Sequence, residues 1–328
     1  MEAGPGGLVC NAGGFVIDPW RRADLAVITH AHADHARRGS RRYLAHTDSA
    51  PLLRSRLGAD IDLRTVGYGE VLELGDTRVS LHPAGHVLGS AQVRVEAGGE
   101  VWVVTGDYKR DPDPTCAGFE PQPCDVLITE ATFALPIYRW PPGEEVAADI
   151  LGWWQRNRRD GRPSVLFCYS LGKAQRVLAE LARLTDRTAY LHGAVDKLTR
   201  LYRDAGIAML PSEPVDTTQD RDYAGELVIA PPGAGGGTWM RRFRDAATGF
   251  CSGWMRVRGN RRRRGYDRGF VLSDHADWPG LLRTIDECRP SRVLTTHGRD
   301  ETLVRHLTGL GIDAAPLETA YGDDGDGD

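Results

Sequence analysis

The chain has 328 residues, of which 41% are hydrophobic and 26% are charged, an ordinary composition for a globular protein. The net charge is −4, and the four aspartates within residues 321–328 account for all of it, so we expect a disordered acidic tail there. No apolar run approaches the ~20 residues that span a bilayer, the N-terminal residues lack the pattern of a signal peptide, and the six cysteines form no C-x-x-C pair. We therefore expect a cytoplasmic protein with no membrane partner.

A cluster of metal-binding side chains follows an early strand. Residues 25–28 form a short apolar run typical of a buried strand, and His30, His32, Asp34 and His35 come directly after it. Three imidazoles and one carboxylate suit zinc or manganese, and neither a zinc finger nor the helical His-Glu-x-x-His site has this spacing. The alternative interpretation is a histidine-rich surface loop. The pattern predicts a metal site.

Further strand-like runs also end in residues that bind metals. The first part of the chain is rich in predicted strands, at 14–18, 25–28, 78–82, 91–95, 101–105 and 125–129. His86 and Asp107 follow two of these strands, and His297 follows a later one. Each of them alone is typical of a turn or a cap, but together they complete a site for two divalent ions, Zn²⁺ or Mn²⁺ or both. Asp18 is either an acceptor that orients a ligand histidine or a simple turn residue.

The middle of the chain alternates between strands and helices. Strands at 164–169, 188–191 and 227–230 alternate with helices at 144–159, 173–184 and 197–204, which predicts an α/β block. The block ends near residues 239–268, where ten arginines and two acids give a local net charge of +8. This segment is either a solvated loop or a contact for a phosphate-bearing substrate. Strands at 269–272 and 292–296 and helices at 278–288 and 300–310 complete the chain.

These motifs resemble those of the metallo-β-lactamase-fold hydrolases of the β-CASP nuclease group. The run His30-x-His32-x-Asp34-His35, then His86 and Asp107, match the superfamily motifs in order, and Glu130, His275 and His297 match the residues that β-CASP members add. The resemblance implies an α/β fold, an αββα metallo-β-lactamase sandwich (1–140 and 266–320) with an inserted α/β β-CASP cap domain (141–265) and the tail 321–328. Within the group the chain is most similar to the bacterial DNA-ligase-associated exonucleases, relatives of the Artemis-type DNA nucleases.

The resemblance and the chemistry together imply roles for individual residues. The expected ligands are His30, His32 and His86 for one ion, and Asp34, His35 and His297 for the other, with Asp107 shared. Asp34, Asp107, Glu130 and His275 are the expected catalytic residues. His275, paired with Glu130, would be the general acid that protonates the leaving oxygen. The turn with Ser170 and Lys173 is expected to hold a terminal phosphate of the substrate, and is otherwise an ordinary strand-to-helix turn. The other expected substrate contacts are Arg256, Arg258, Arg261 and Arg262.

The resemblance favours single-stranded DNA, trimmed from the 5′ end in DNA repair, as the substrate, and a DNA ligase and other repair proteins as partners. His297 leaves RNA open, because RNA-cleaving β-CASP enzymes usually have this histidine whereas Artemis-type DNA nucleases commonly lack it. Two other classes stay open, a small-molecule hydrolase of the same fold and a metal-free subunit that only binds nucleic acid. The cap, Glu130 and His275 argue against the first, and the complete ligand set argues against the second.

Overall fold

The computed structural model describes residues 1–4, 6–216, 218, 221–257, 265–296, 298 and 300–317. It contains two compact units: Met1–Arg139 with the described residues from His275 onward, and Trp140–Asp274. The sequence placed the return to the first unit at residue 266, but in the structure it falls at His275. The reason is that the strand Arg268–Phe270 pairs with Ala247–Cys251 in the sheet of the second unit.

The first unit begins with a six-stranded sheet whose strands follow one another in chain order. Its first three strands pair antiparallel, and the third to the sixth pair parallel. A helix, α1 (Ala50–Leu57), connects the last two strands. The strands are β1 (Glu2–Gly4), β2 (Gly7–Cys10), β3 (Phe15–Ile17), β4 (Leu25–Val27), β5 (Arg42–His46) and β6 (Leu63–Val66).

The second sheet of this unit has seven strands, in the order β19-β18-β11-β10-β9-β8-β7. Strand β11 is the third strand in this order and runs parallel to both of its neighbours, β10 and β18. The strands are β7 (Val71–Leu74), β8 (Thr77–Pro83), β9 (Ala91–Ala97), β10 (Glu100–Val104), β11 (Val126–Glu130), β18 (Arg292–Thr296) and β19 (Asp313–Pro316).

Strand β11 contributes side chains to two hydrophobic cores of the first unit, one on each of its faces. Its side chains alternate between two cores, because successive residues of a strand point to opposite faces. Val126 and Ile128 join a core that contains residues of both sheets, including Ile17 of the first sheet. Leu127 points the other way, into a core shared with the helices α5 (Trp278–Cys288) and α6 (Glu301–Gly309). A strand buried on both faces needs a continuous apolar sequence, which is what residues 126–128 provide.

The second unit contains an entirely parallel sheet of six strands, in the order β14-β13-β15-β12-β16-β17. Its helices pack on one face, where Trp153, Leu178 and Val195 meet Leu166 and Ile229. The elements are α2 (Gly143–Arg159), β12 (Ser164–Phe167), α3 (Lys173–Leu181), β13 (Ala189–Leu191), α4 (Gly193–Asp204), β14 (Ser212–Pro214), β15 (Leu227–Ala230), β16 (Ala247–Cys251) and β17 (Arg268–Phe270).

The observed elements confirm the mixed α/β class. Each predicted helix is present, although the one expected at 173–184 ends at Leu181 and the one expected from residue 197 begins at Gly193. Several short elements were not predicted, among them α1 and β16. Within the described residues, no helix combines the length and the apolar composition that crossing a membrane requires.

Candidate metal centre

The His30–His35 segment begins just after β4 and is held by hydrogen bonds to its backbone. The carbonyl of Thr29 accepts from the N–H of Ala91 at 2.8 Å, and that of His32 accepts from Ala36 at 2.8 Å. Between them, the carbonyl of Ala31 accepts from Nε of Arg56 at 2.6 Å. The segment is therefore a fixed turn at the edge of the first sheet and not a loose surface loop.

Two glycines allow the other expected ligands to approach this turn. Gly106, with φ +55°, packs against Thr29 so closely that an added Cβ would lie 2.7 Å from Thr29 Cβ, and Asp107 follows it directly. Gly85, with φ +76°, precedes His86, whose backbone N–H donates to Ser90 Oγ at 3.0 Å. Both glycines hold left-handed conformations that other residues rarely adopt.

The donor atoms of these residues converge. One donor atom each of His30, His32, His86 and Asp107 lies within 4.8 Å of the others. Asp107 Oδ2 is 3.5 Å from His30 Nε2, 3.5 Å from His35 Nε2 and 3.8 Å from His86 Nε2. His86 Nε2 is 3.0 Å from His32 Nδ1, and Asp34 Oδ2 is 3.6 Å from His35 Nε2. The structure thus brings six of the seven expected ligands together, and His297 lies outside the described residues.

The charge state of this cluster fits a divalent cation. Within the described residues, His30 Nε2 and Asp107 Oδ1 are buried without a hydrogen-bond partner. Burial and the neighbouring histidines lower the pKa of His30 well below its usual range. Burial also raises the pKa of Asp107 to about 7. Burial lowers the pKa of His35, but the nearby carboxylates of Asp107, Asp34 and Asp18 have the larger opposite effect and raise it to about 10. A bound cation would favour the ionised carboxylate and the neutral imidazoles, which are the forms that bind metals.

Asp18 lies at the end of β3 with φ +42°, a backbone conformation that aspartate tolerates better than most residues. Its Oδ1 accepts from the N–H of Thr29 at 2.8 Å, and its Oδ2 accepts from His35 Nδ1 at 2.7 Å. One buried carboxylate therefore contacts both the backbone of the turn and the far side of a candidate ligand. Carboxylates in this position orient metal-binding histidines.

Glu130 and His275 form a buried pair beside the cluster. Glu130 is the last residue of β11, and its two carboxylate oxygens lie 3.1 and 2.9 Å from His275 Nδ1. The N–H of Tyr108 donates to Glu130 Oε1 at 2.8 Å, which fixes the carboxylate. One donor atom each of Asp107, Glu130 and His275 also falls within 4.8 Å of the others. His275 Nδ1 therefore faces the carboxylate of Glu130.

Ser170 and Lys173, expected to contact substrate, are buried in the second unit. Lys173 Nζ lies 3.5 Å from Asp274 Oδ2 and 4.7 Å from the centre of the Tyr169 ring. The N–H of Gly172 donates to Gln175 Oε1 at 2.8 Å. The Gly172 N–H and the Lys173 ammonium, which are groups that could bind a phosphate, thus already contact Gln175 and Asp274.

The expected arginine contacts are described only in part. Arg256 is exposed at the end of a short 3₁₀ turn, Gly253–Arg256. Arg258, Arg261 and Arg262 lie outside the described residues. Two contacts had no signal in the sequence: that of the Thr29 hydroxyl with Asp18 and His30, and that of Asp274 with Lys173.

Comparisons with known proteins give both relatives and a fold match. No family model matches the chain. A probable DNA ligase from Opitutus terrae is 34% identical over 308 residues, which are 92% of this chain and 29% of the ligase. An endoribonuclease YSH1 from Yarrowia lipolytica is 26% identical over 189 residues, 47% of this chain and 23% of that protein. The chain thus spans less than a third of either relative's length.

The solved structures contain a similar fold. A crystal structure of a protein of unknown function from Enterococcus faecalis superposes with a TM-score of 0.62 at 14% identity, covering 91% of this chain and 80% of that one. At this identity the similarity concerns the fold alone.

Proposed function

We propose that this chain, which belongs to the metallo-β-lactamase-fold β-CASP nucleases, is a metal-dependent nuclease that hydrolyses phosphodiester bonds. The observation that carries the proposal is the convergence of donor atoms from His30, His32, His86 and Asp107 within 4.8 Å. The buried pair of Glu130 and His275 beside this cluster supplies a proton donor, which a purely structural metal site does not need.

The ligand assignment keeps the sets that the sequence motifs imply, and the distances among the described members support it. We assign His30, His32 and His86 to one ion, Asp34, His35 and His297 to a second, and Asp107 to both. Two bound divalent ions lower the pKa of a water molecule and offset the negative charge of the scissile phosphate. Asp18 keeps the ring proton of His35 on Nδ1, so that Nε2 carries the lone pair that a metal would bind.

His275 is assigned as the general acid. Its Nδ1 faces Glu130, so Nε2 is the atom that gives a proton to the leaving oxygen. The carboxylate of Glu130 favours the imidazolium form from which that proton comes. Because donor atoms of Glu130 and His275 also lie near Asp107, a metal-ligand role for His275 is the alternative that a metal measurement must exclude.

The second unit is assigned as the β-CASP cap, and the arginines around 256–264 as contacts to the nucleic-acid backbone. Such contacts set affinity and salt dependence and carry no sequence preference. Ser170 and Lys173 were expected to bind a terminal phosphate, but Lys173 is buried and its ammonium faces Asp274. A direct phosphate contact therefore requires that the Lys173–Asp274 pair open, and we give the two residues a structural role.

For the substrate we favour single-stranded DNA, degraded from the 5′ end in DNA repair, with a DNA ligase as partner. The support is the match to a probable DNA ligase, which covers 92% of this chain. The second candidate is RNA, favoured by the match to an endoribonuclease and by the presence of His297.

The deciding experiment is digestion of oligonucleotides. DNA and RNA, each single- and double-stranded and labelled separately at either end, are incubated with the protein and Zn²⁺ or Mn²⁺. Early release of mononucleotide from the 5′ label of single-stranded DNA supports the favoured substrate. Internal cuts in RNA alone would move the chain to the RNA-processing branch, and no cleavage of any oligonucleotide would refute the nuclease. Asp107→Asn is the inactive reference, and Asp24→Asn, at an exposed aspartate paired with Arg42, is its matched control.

A further inference from the structure

The hydroxyl of Thr29 connects the buried carboxylate of Asp18 to a second candidate metal ligand. We propose that Thr29 is a positioning residue that fixes the tautomer of His30, so that Asp18 orients two ligand histidines at once: His35 directly and His30 through Thr29. This inference rests on the proposed metal site, but it does not depend on the substrate or on the nuclease activity.

The contacts of the Thr29 hydroxyl are all buried, and the longest of them is the 3.5 Å to His35 Nδ1. Thr29 Oγ1 donates to Asp18 Oδ2 at 2.5 Å and lies 3.1 Å from His30 Nδ1. Asp18 Oδ2 also accepts from His35 Nδ1 at 2.7 Å. Thr29 and His30 are each 1% exposed, so water does not compete for these bonds.

Counting protons assigns each bond a direction. A threonine hydroxyl carries one proton, and the carboxylate of Asp18 can only accept, so that proton is used toward Asp18. The oxygen of Thr29 can then only accept from His30 Nδ1, which must carry the ring proton. His30 Nε2 is consequently left with its lone pair, and it points toward Asp107, whose Oδ2 is 3.5 Å away.

The same count applies to His35. Its Nδ1 donates to Asp18 and its Nε2 faces Asp107 Oδ2, also at 3.5 Å. The two histidines thus present Nε2 to the same carboxylate because one buried aspartate determines both tautomers. Through the hydroxyl of Thr29, the influence of Asp18 extends to the His30 ring.

The packing around Thr29 permits a clean test. Gly106 leaves no spare room, since a Cβ there would lie 2.7–3.1 Å from the side-chain atoms of Thr29. The backbone of Thr29 is held independently, by Asp18 Oδ1 and by the N–H of Ala91. Thr29→Val replaces the hydroxyl by a methyl group and keeps a similar shape, whereas Thr29→Ser keeps the hydroxyl and removes only a methyl group.

Zn²⁺ affinity is measured by competition with a chromogenic chelator for the wild type and for both variants. Loss of such a supporting hydrogen bond weakens metal binding by roughly 10–100-fold. We expect that loss in Thr29→Val and near wild-type affinity in Thr29→Ser. Thr115→Val is the matched control, because Thr115 is a buried threonine that donates to Asp113 at 2.6 Å and, among the described residues, has no hydrogen bond to a histidine. Its Zn²⁺ affinity is expected to be unchanged.

Two results would overturn the proposal: wild-type Zn²⁺ affinity in Thr29→Val, or equal losses in Thr29→Val and Thr29→Ser. Long-range ¹H–¹⁵N spectra of the zinc-loaded wild type test the tautomer without any substitution. A proton on His30 Nδ1 supports the assignment, and a proton on Nε2 contradicts it. Because none of these measurements uses a nucleic acid, their failure is distinguishable from failure of the proposed nuclease function.

Discussion

His275→Ala tests the assignment of the general acid. Both oxygens of Glu130 lie within 3.1 Å of His275 Nδ1, so the transferred proton must leave from Nε2. Removing a general acid costs roughly 10²–10⁴-fold in rate, which corresponds to about 3–5 kcal/mol of transition-state free energy. We expect a loss in this range on oligonucleotides, whose leaving oxygen is a poor leaving group, with bound metal unchanged.

A second substrate, whose leaving group needs no proton, provides the internal comparison. A p-nitrophenyl ester of a nucleotide releases a stable anion that needs no proton, so on this substrate His275→Ala should lose less than about tenfold. His82→Ala, a half-buried histidine whose Nε2 contacts Ser80 Oγ at 2.9 Å, is the control for loss of an imidazole. The reasoning fails if His275→Ala lowers the cleavage rate of both substrates by the same factor. It also fails if that variant loses bound metal, which would make His275 a ligand.

Two further predictions concern charged residues that are not among the candidate metal ligands. Asp274 lies 3.5 Å from Lys173 Nζ and 3.6 Å from Arg176 Nη1, and all three side chains are buried. Asp274→Asn should therefore lower the free energy of unfolding by about 3–5 kcal/mol in a urea titration, whereas Asp149→Asn, at an exposed carboxylate, should stay within about 0.5 kcal/mol of the wild type. Changing Arg261–Arg264 to Ser should weaken binding to all single-stranded sequences and flatten the slope of log affinity against log salt. An unchanged slope would mean that the segment is a solvated loop without contact to the nucleic acid.

The positions of the candidate ligands could be predicted from sequence because chemistry and strand pattern coincide there. His86, Asp107 and Glu130 each follow or end an apolar run, and buried strands of a sandwich need such runs. Four metal-binding side chains within six consecutive positions are also rare enough to predict a site without a structure. Which atoms face one another was not predictable, because it depends on the close approach that Gly106 allows to Thr29.

The contacts that sequence could not reveal join residues far apart in the chain. Lys173 was interpreted from its local turn as a phosphate contact, yet its carboxylate partner, Asp274, comes from the other end of the second unit. The return to the first unit was placed too early for a related reason. The apolar run at 269–272 is compatible with a strand in the sheet of either unit. Its pairing with β16 assigns it to the second unit, and β16 was not predicted from the sequence.

The central claim, a metal-dependent nuclease built on a shared aspartate, is tested most directly by counting metal ions. The wild type and Asp107→Asn are dialysed against Zn²⁺, and bound metal per chain is measured together with cleavage of single-stranded DNA and RNA. We predict two ions per wild-type chain, loss of cleavage after chelation with recovery on adding Zn²⁺ or Mn²⁺, and neither full occupancy nor cleavage in Asp107→Asn. Cleavage that survives exhaustive chelation, or a folded Asp107→Asn protein with wild-type turnover, would contradict the account.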